Sequence, residues 1–117
     1  MQLIHSKDIF KSTKLQGFVN EIVVSEFNIF IFGLPNSGKS TLAKAICKAD
    51  SRFSTLAEEE ILSAEDVEKI LINSSNLWCV GHQYPSQNQN VSESYLVDFV
   101  KKMKLNLDKW NIIRIKK

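Results

Sequence analysis

The segment "FNIFIFG", from Phe27 to Gly33, and the residues just after it constrain the fold more than any other part of this sequence. The segment is a short apolar run rich in aromatic and branched side chains, which is typical of a strand buried on both faces. Gly33 and Pro35 end the run, and a helix is expected from Gly38 to about Ala49. The sequence therefore predicts a buried strand, a tight loop and a helix in direct succession.

Further apolar patterns predict additional strands and helices. The runs at 77–81 and 110–116 are short and apolar, like the first strand. Helices are indicated in 15–24, in the segment that Ser63 would cap, and in 96–103, because apolar side chains recur there at helical spacing. The apolar positions are Leu15, Phe18, Val19, Ile22 and Val23, then Val67, Ile70 and Leu71, and finally Leu96, Phe99, Val100 and Met103.

Helices that alternate with apolar strands indicate a parallel sheet covered on both sides. We therefore expect the α/β class, with a three-layer α/β/α arrangement around a small parallel sheet. A length of 117 residues fits a single domain. Within it we expect a helical extension over 1–26, and the strand, loop and helix in a main part over 27–117.

Composition and cysteine usage bound the classes of protein. With 44% apolar and 24% charged residues, the chain has the balance of a soluble globular domain, and its net charge is only +2. It contains no run of about 18–20 apolar residues and no apolar secretory leader, so no membrane span is expected. Cys47 and Cys79 form no CxxC pair, and we interpret them as reduced thiols in or near the core. A cytoplasmic location is the expectation.

The loop after the first strand carries the most specific pattern. The stretch "GLPNSGKST", Gly33 to Thr41, fits Gly-x4-Gly-Lys-Ser, which wraps backbone amides around phosphate groups. Gly33 lets the chain leave the strand sharply, and Gly38 has no Cβ to obstruct a phosphate. The amides of residues 36–40 are expected to point inward at a helix N-terminus, where the dipole adds about 0.3–1 kcal/mol for a negative charge. The alternative is a glycine-rich turn that binds nothing.

Several loop residues have an expected role in binding a nucleotide. Lys39 would reach the β- and γ-phosphates and is the candidate catalytic residue. The Ser40 hydroxyl would ligate Mg²⁺, and Thr41 would lie near the α-phosphate. The predicted nucleotide-binding residues are Gly33, Asn36, Ser37, Gly38, Lys39, Ser40 and Thr41.

From Phe30 onward the chain resembles the nucleoside monophosphate kinases, and adenylate kinase above all. The matching segments, in the order that the family has them, are "GLPNSGKSTLAKAI", "EEEILSAEDVEKIL", "LWCVGHQYPSQNQN" and "LVDFVKKMKLNLDKWNIIRI". The phosphate loop is the strongest of these matches. The resemblance implies a shortened P-loop NTPase fold with 27–117 as the nucleotide-binding domain, ATP with Mg²⁺ as the cofactor, and a nucleoside monophosphate as the candidate acceptor.

The chain departs from this family near the end of the strand at 77–81. The family's Trp-x-x-Asp-Gly-Phe-Pro-Arg signature has its Trp, aromatic residue and Pro at Trp78, Tyr84 and Pro85. Its Asp, Gly and Arg are replaced by His82, Gln83 and Ser86. In the family, the acid helps to organise Mg²⁺ and the arginine grips phosphate, so the resemblance here extends to binding more than to chemistry.

Arginines are scarce as well. Arg52 and Arg114 are the only two in the chain, which ends where the family's lid, with its further arginines, would begin. Arg52 is a candidate contact for a monophosphate, or else a surface arginine after a helix. One well-placed arginine contributes about 10³–10⁵ in phosphoryl-transfer rate. We therefore expect a shortened or degenerate relative that binds ATP and transfers phosphate weakly or not at all.

Two other functions stay open. The loop and "WCVGHQYPSQNQNVSESYLVDFVKKMKL" also resemble small GTPases of the Ras type, but His82, Gln83 and Pro85 stand where those have Asn, Lys and Asp, so ATP is preferred to GTP. The other function is that of a non-catalytic scaffold that keeps the kinase fold and binds a protein partner. From Lys101 onward the sequence carries seven basic residues and one acid, Asp108. We interpret this segment as a solvated helix face and chain end, so nucleic acid is not an expected partner.

Overall fold

The computed structural model describes residues 2–24, 27–56, 65, 77–83, 93–104 and 108–116. In this part of the chain, the strands are β1 (Gln2–His5), β2 (Asn28–Gly33), β3 (Phe53–Leu56), β4 (Leu77–Gln83) and β5 (Trp110–Lys116). The helices are α1 (Ser6–Ile9), α2 (Ser12–Val24), α3 (Lys39–Ala49) and α4 (Glu93–Lys102).

The strands form one parallel sheet in the order β1-β5-β2-β4-β3. Strand β2 lies at its centre, where Ile31 pairs with Gly81 of β4 on one side and with Ile113 of β5 on the other. Its burial on both faces explains why its sequence is an unbroken apolar run. The prediction of a small parallel sheet in an α/β protein is confirmed.

The side chains of the strands alternate between two apolar clusters, one on each face of the sheet. On one face, Phe30 and Phe32 of β2 pack with Leu96 and Val100 of α4, and the Phe30 and Phe32 rings stack with centroids 4.8 Å apart. On the other face, the cluster includes Ile29, Ile31, Val19, Ile22, Leu42 and Ile46, from β2, α2 and α3. Helices therefore cover both faces, as predicted.

The predicted elements within the described residues are confirmed, with small shifts at their ends. Helix α2 begins at Ser12, before the predicted start at residue 15, and β4 continues to Gln83, two residues beyond the predicted 77–81. Helix α4 ends just before Met103, which is buried as predicted. The predicted helix after Ser63 lies outside the described residues apart from Glu65.

Two strands differ from the expectation. Strand β1 lies in the segment 1–26, which the sequence predicts to be a helical extension, and β3 lies where no strand is predicted. Both lie at the edges of the sheet, and only Ile4 of β1 is buried. An edge strand of four residues that buries one side chain has no apolar run, so the pattern that predicts β2, β4 and β5 does not reveal it.

Both cysteines are free thiols on the α3 face, with Cys79 buried in β4 and Cys47 half-buried in α3, as predicted. Burial raises the pKa of both thiols, and that of Cys79 most strongly. Both therefore stay protonated and unreactive at neutral pH. No helix in the described residues is long and apolar enough to cross a membrane.

Candidate functional site

The predicted phosphate loop lies between β2 and α3, at the carboxyl edge of the sheet. Gly33, the last residue of β2, leaves no room for a side chain. A Cβ at this position would lie 2.5 Å from Ser37 Oγ and 3.2 Å from Lys39 Cγ. The loop therefore folds back closely over the end of its own strand, and the close approach requires glycine.

Two positive φ angles shape the second half of the loop. Asn36 has φ 60° and Gly38 has φ 100°, on either side of Ser37. Such left-handed residues in a turn bring successive amides to one concave side, an arrangement that binds anions. Gly38 is also the N-cap of α3, and a Cβ on it would lie 3.1 Å from Ile9 Cδ1. The buried Ile9 side chain of α1 therefore packs against the loop at Gly38.

The first turn of α3 supplies N–H groups that have no acceptor within the helix, and it concentrates the positive end of the helix dipole. These groups belong to Lys39, Ser40 and Thr41. The Ser37 amide differs from the expectation for residues 36–40, because it donates to the Leu34 carbonyl oxygen at 3.2 Å. One of the amides that were expected to point inward is therefore hydrogen-bonded within the loop itself.

Lys39 is the charged side chain at the centre of the loop. It is only 4% exposed, and its Nζ donates to the same Leu34 oxygen at 2.7 Å. The Lys39 side chain thus reaches from the start of α3 across the loop to Leu34, the first residue after β2. A buried ammonium group is unfavourable unless polar groups or an anion compensate its charge.

The three hydroxyl groups of the loop differ in exposure. Ser37 is fully buried, and its Oγ has no hydrogen-bond partner among the described residues. Ser40 and Thr41 are exposed on the first turn of α3. The loop therefore holds an unsatisfied polar atom close to the end of β2. Leaving a buried hydroxyl group unpaired costs about 1–3 kcal/mol of folding free energy.

A cavity of about 300 Å³ opens beside the loop, which is the lower end of the usual size range of ligand sites. Its described lining consists of Phe10, Asn36, Gly38, Lys39, Ser40 and Thr41. Five of these residues are predicted from the sequence, whereas Phe10 is not. Phe10 follows α1, and no periodic pattern marks it, so only the three-dimensional arrangement brings it to the loop.

The loop that follows β2 lies where the chain changes direction across the sheet. From β2, the chain passes through α3 to β3 on one side, whereas from β4 it passes through α4 to β5 on the other side. Because β2 and β4 are neighbours, their carboxyl ends bound a topological switch point, the usual ligand site of an open α/β sheet.

No family model, curated protein or solved structure matches the chain. The assignment of the site therefore depends on its own geometry and chemistry.

The strand beside the loop ends without a carboxylate. Gly33 pairs with Gln83 and Phe32 with His82 at the end of β4, so these two residues occupy the register positions next to the loop. The described residues contain no group of three or more metal-ligating side chains. Ser40, the predicted Mg²⁺ ligand, is exposed on the first turn of α3 beside Lys39.

Arg52 lies at the opposite edge of the sheet. It directly precedes β3, whose first residue, Phe53, pairs with Leu77 at the start of β4. The length of β4, seven residues from Leu77 to Gln83, places Arg52 about 20 Å from the loop. Its guanidinium group forms an ion pair with Asp50 at 2.6 Å, and the hydrogen bonds from Arg52 hold the pKa of that carboxyl below its usual value. Of the two interpretations, the surface arginine fits this position.

Proposed function

We propose that the loop at 33–41 binds the polyphosphate of ATP together with Mg²⁺, in a shortened P-loop NTPase fold that resembles the nucleoside monophosphate kinases. The observation that carries the proposal is the buried Lys39 ammonium group, 2.7 Å from the Leu34 oxygen, in a loop with positive φ angles at Asn36 and Gly38. A cation enclosed by such a turn at a helix N-terminus is suited to the β- and γ-phosphates. The switch-point location supports the same assignment.

Lys39 gains by exchanging partners when a phosphate arrives. Its ammonium group has three donors, and one of them is directed at the neutral Leu34 carbonyl oxygen. A hydrogen bond between an ammonium group and an anionic oxygen is about twice as strong as one between neutral groups. A phosphate oxygen therefore competes well for this side chain, and the loop amides of α3 add their donors to the same anion.

The Ser40 hydroxyl, exposed beside Lys39, is the protein ligand that we propose for Mg²⁺. Magnesium, when bound, neutralises charge on the β- and γ-phosphates. Thr41 lies one residue further along the same turn, where we assign it to the α-phosphate. Because Mg²⁺ keeps several waters and uses few protein ligands, these roles require no carboxylate cluster.

We propose that phosphoryl transfer is weak or absent. Transfer depends on cationic cover over the phosphate oxygens and on an organised metal ion. The β4 end offers His82 and Gln83 in place of an acid, and Arg52 is about 20 Å away at the other edge of the sheet. Lys39 is the one catalytic group that we assign. The free thiols of Cys47 and Cys79 suit a cytoplasmic protein, where thiols stay reduced.

The proposal is tested by measuring binding and turnover on the same preparation. Mg-ATP and Mg-GTP are titrated calorimetrically, and ADP formation is followed in a coupled assay with AMP, CMP, UMP or no acceptor. We expect binding of Mg-ATP without acceptor-dependent ADP formation. Rapid phosphorylation of AMP would contradict the assignment of weak transfer, a clear preference for GTP would favour the small-GTPase reading, and an absence of binding would overturn the phosphate site.

A further inference from the structure

Phe10 is exposed in a place where its ring borders the cavity. Its side chain is 67% exposed, although it is large and apolar. Single exposed apolar residues are common and need no explanation by themselves. Among the exposed large apolar residues of the described chain, however, Phe10 is the one that lines the cavity beside Lys39, Ser40 and Thr41.

The backbone on both sides of Phe10 has contacts that keep it near the loop. Its neighbour Ile9 is 1% exposed and approaches Gly38, so that a Cβ on Gly38 would lie 3.1 Å from Ile9 Cδ1. On the other side, the Lys11 amide donates to the Asp8 carbonyl oxygen at 3.2 Å, and Lys14 pairs with the Asp8 carboxylate at 3.3 Å. The backbone before and after Phe10 is therefore anchored to the loop and to α2.

We propose that the Phe10 ring stacks on the nucleobase of the nucleotide whose phosphates the loop binds; this inference rests on the proposed function. The other described residues that line the cavity belong to the loop that takes the phosphates, so among them Phe10 is the one that offers an exposed apolar ring to a base. Every base has a π face, so stacking on an aromatic side chain is tolerant of base identity. The contribution of Phe10 is therefore the same for adenine and for guanine.

The test compares ligands with and without a base. Mg-ATP, Mg-GTP and magnesium tripolyphosphate are titrated into the wild type, Phe10→Ala and Phe10→Trp. Stacking on one base changes affinity by about 5- to 150-fold. We expect Phe10→Ala to weaken ATP and GTP by about tenfold each and to leave tripolyphosphate unchanged, while Phe10→Trp keeps or strengthens nucleotide binding. Val24→Ala is the matched control, because Val24 is 79% exposed and is not among the residues that line the cavity.

The outcomes separate this inference from the proposed function. Wild-type affinity for tripolyphosphate equal to that for ATP, or no effect of Phe10→Ala on ATP, would overturn the stacking role while the phosphate site stands. An equal loss for ATP and tripolyphosphate would also overturn it, because Phe10 would then support the loop and not the base. If neither ATP nor tripolyphosphate binds the wild type, both proposals are wrong.

Discussion

At the end of β2, a methyl group on residue 33 would collide with the loop that follows. Gly33 approaches Ser37 and Lys39 so closely that a Cβ would lie 2.5 Å from Ser37 Oγ. Gly17, in the middle of α2, has nothing within 4 Å of the place where its Cβ would lie. The two glycines therefore occupy opposite environments, and the same substitution has opposite consequences at the two positions.

We expect Gly33→Ala to lower the free energy of unfolding by about 1–3 kcal/mol, the usual cost of overpacking a buried site. Gly17→Ala serves as the control and should raise the free energy of unfolding by up to about 1 kcal/mol, because alanine favours a helix interior over glycine. Urea denaturation followed by tryptophan fluorescence measures both. A Gly33→Ala protein as stable as the wild type would show that the loop does not fold back over the strand in this way.

The buried thiol of Cys79 makes stability depend on pH in the alkaline range. Burial raises its pKa in the folded state, so above pH 9 the unfolded chain loses this proton while the folded chain keeps it. Stability is therefore complete below the pKa of the unfolded thiol and falls as the pH rises, by up to about 1.4 kcal/mol per pH unit.

The prediction for Cys79 is read from urea denaturation at pH 8, 9 and 10. Between pH 9 and pH 10, the wild type should lose about 1 kcal/mol more than Cys79→Ala, because only the wild type carries the buried thiol. Cys47→Ala, at a half-buried position, is the control and should keep most of the wild-type pH dependence. Equal pH dependence in the wild type and Cys79→Ala would mean that the thiol is accessible in the folded protein.

For the loop, the sequence predicts which residues form the candidate site but not the hydrogen bonds between them. Gly33, Gly38 and Lys39 follow from their residue types and spacing. The two hydrogen bonds that converge on the Leu34 oxygen depend on the φ angles of the loop, which no residue type in the pattern specifies. Phe10 is absent from the pattern altogether, because it reaches the cavity through the packing of Ile9 on Gly38.

Among the elements, β3 positions the Arg52–Asp50 ion pair at the amino edge of the sheet, about 20 Å from the loop. We expect Arg52→Ala to leave the affinity for Mg-ATP and any residual ADP formation within twofold of the wild type. The exposed pair should also contribute little to stability. Calorimetric titration of the variant measures the affinity. A loss of tenfold or more would show that Arg52 reaches the nucleotide and that the edge assignment is wrong.

Central elements could be predicted from the sequence, and edge elements could not. Strands β2, β4 and β5 contain buried runs that leave a clear apolar signal, and α2, α3 and α4 show apolar side chains at helical spacing. Strands β1 and β3 pair on one side only and bury few side chains, so their pattern is too weak to read. Helix α1 has only four residues and buries Ile9 alone, so it leaves no periodic apolar pattern in the sequence, although Ile9 packs against the loop.

In the sheet as a whole, the strand order places the loop at a position where ligands are commonly bound. In chain order, β2 is followed by β3 toward one edge of the sheet and β4 is followed by β5 toward the other edge, and the loop follows β2 at the carboxyl edge. Sequence patterns predict a parallel sheet but not the order of its strands, because order depends on long-range pairing. The strand order is therefore a property of the assembled sheet that supports the local interpretation of the loop.

In the proposed site the Lys39 ammonium group holds the nucleotide polyphosphate, and its contribution is measured by calorimetric titration of Mg-ATP. The wild type is compared with Lys39→Met, which keeps the length of the side chain without the charge, and with Lys44→Met, which removes an exposed lysine of the same helix. Losing a hydrogen bond to a charged group corresponds to about 10- to 150-fold in affinity. We predict that loss for Lys39→Met and none for Lys44→Met. Equal binding by all three proteins would show that the Lys39 ammonium group does not hold the polyphosphate. No binding by the wild type at millimolar ATP would show that the loop is not a nucleotide site.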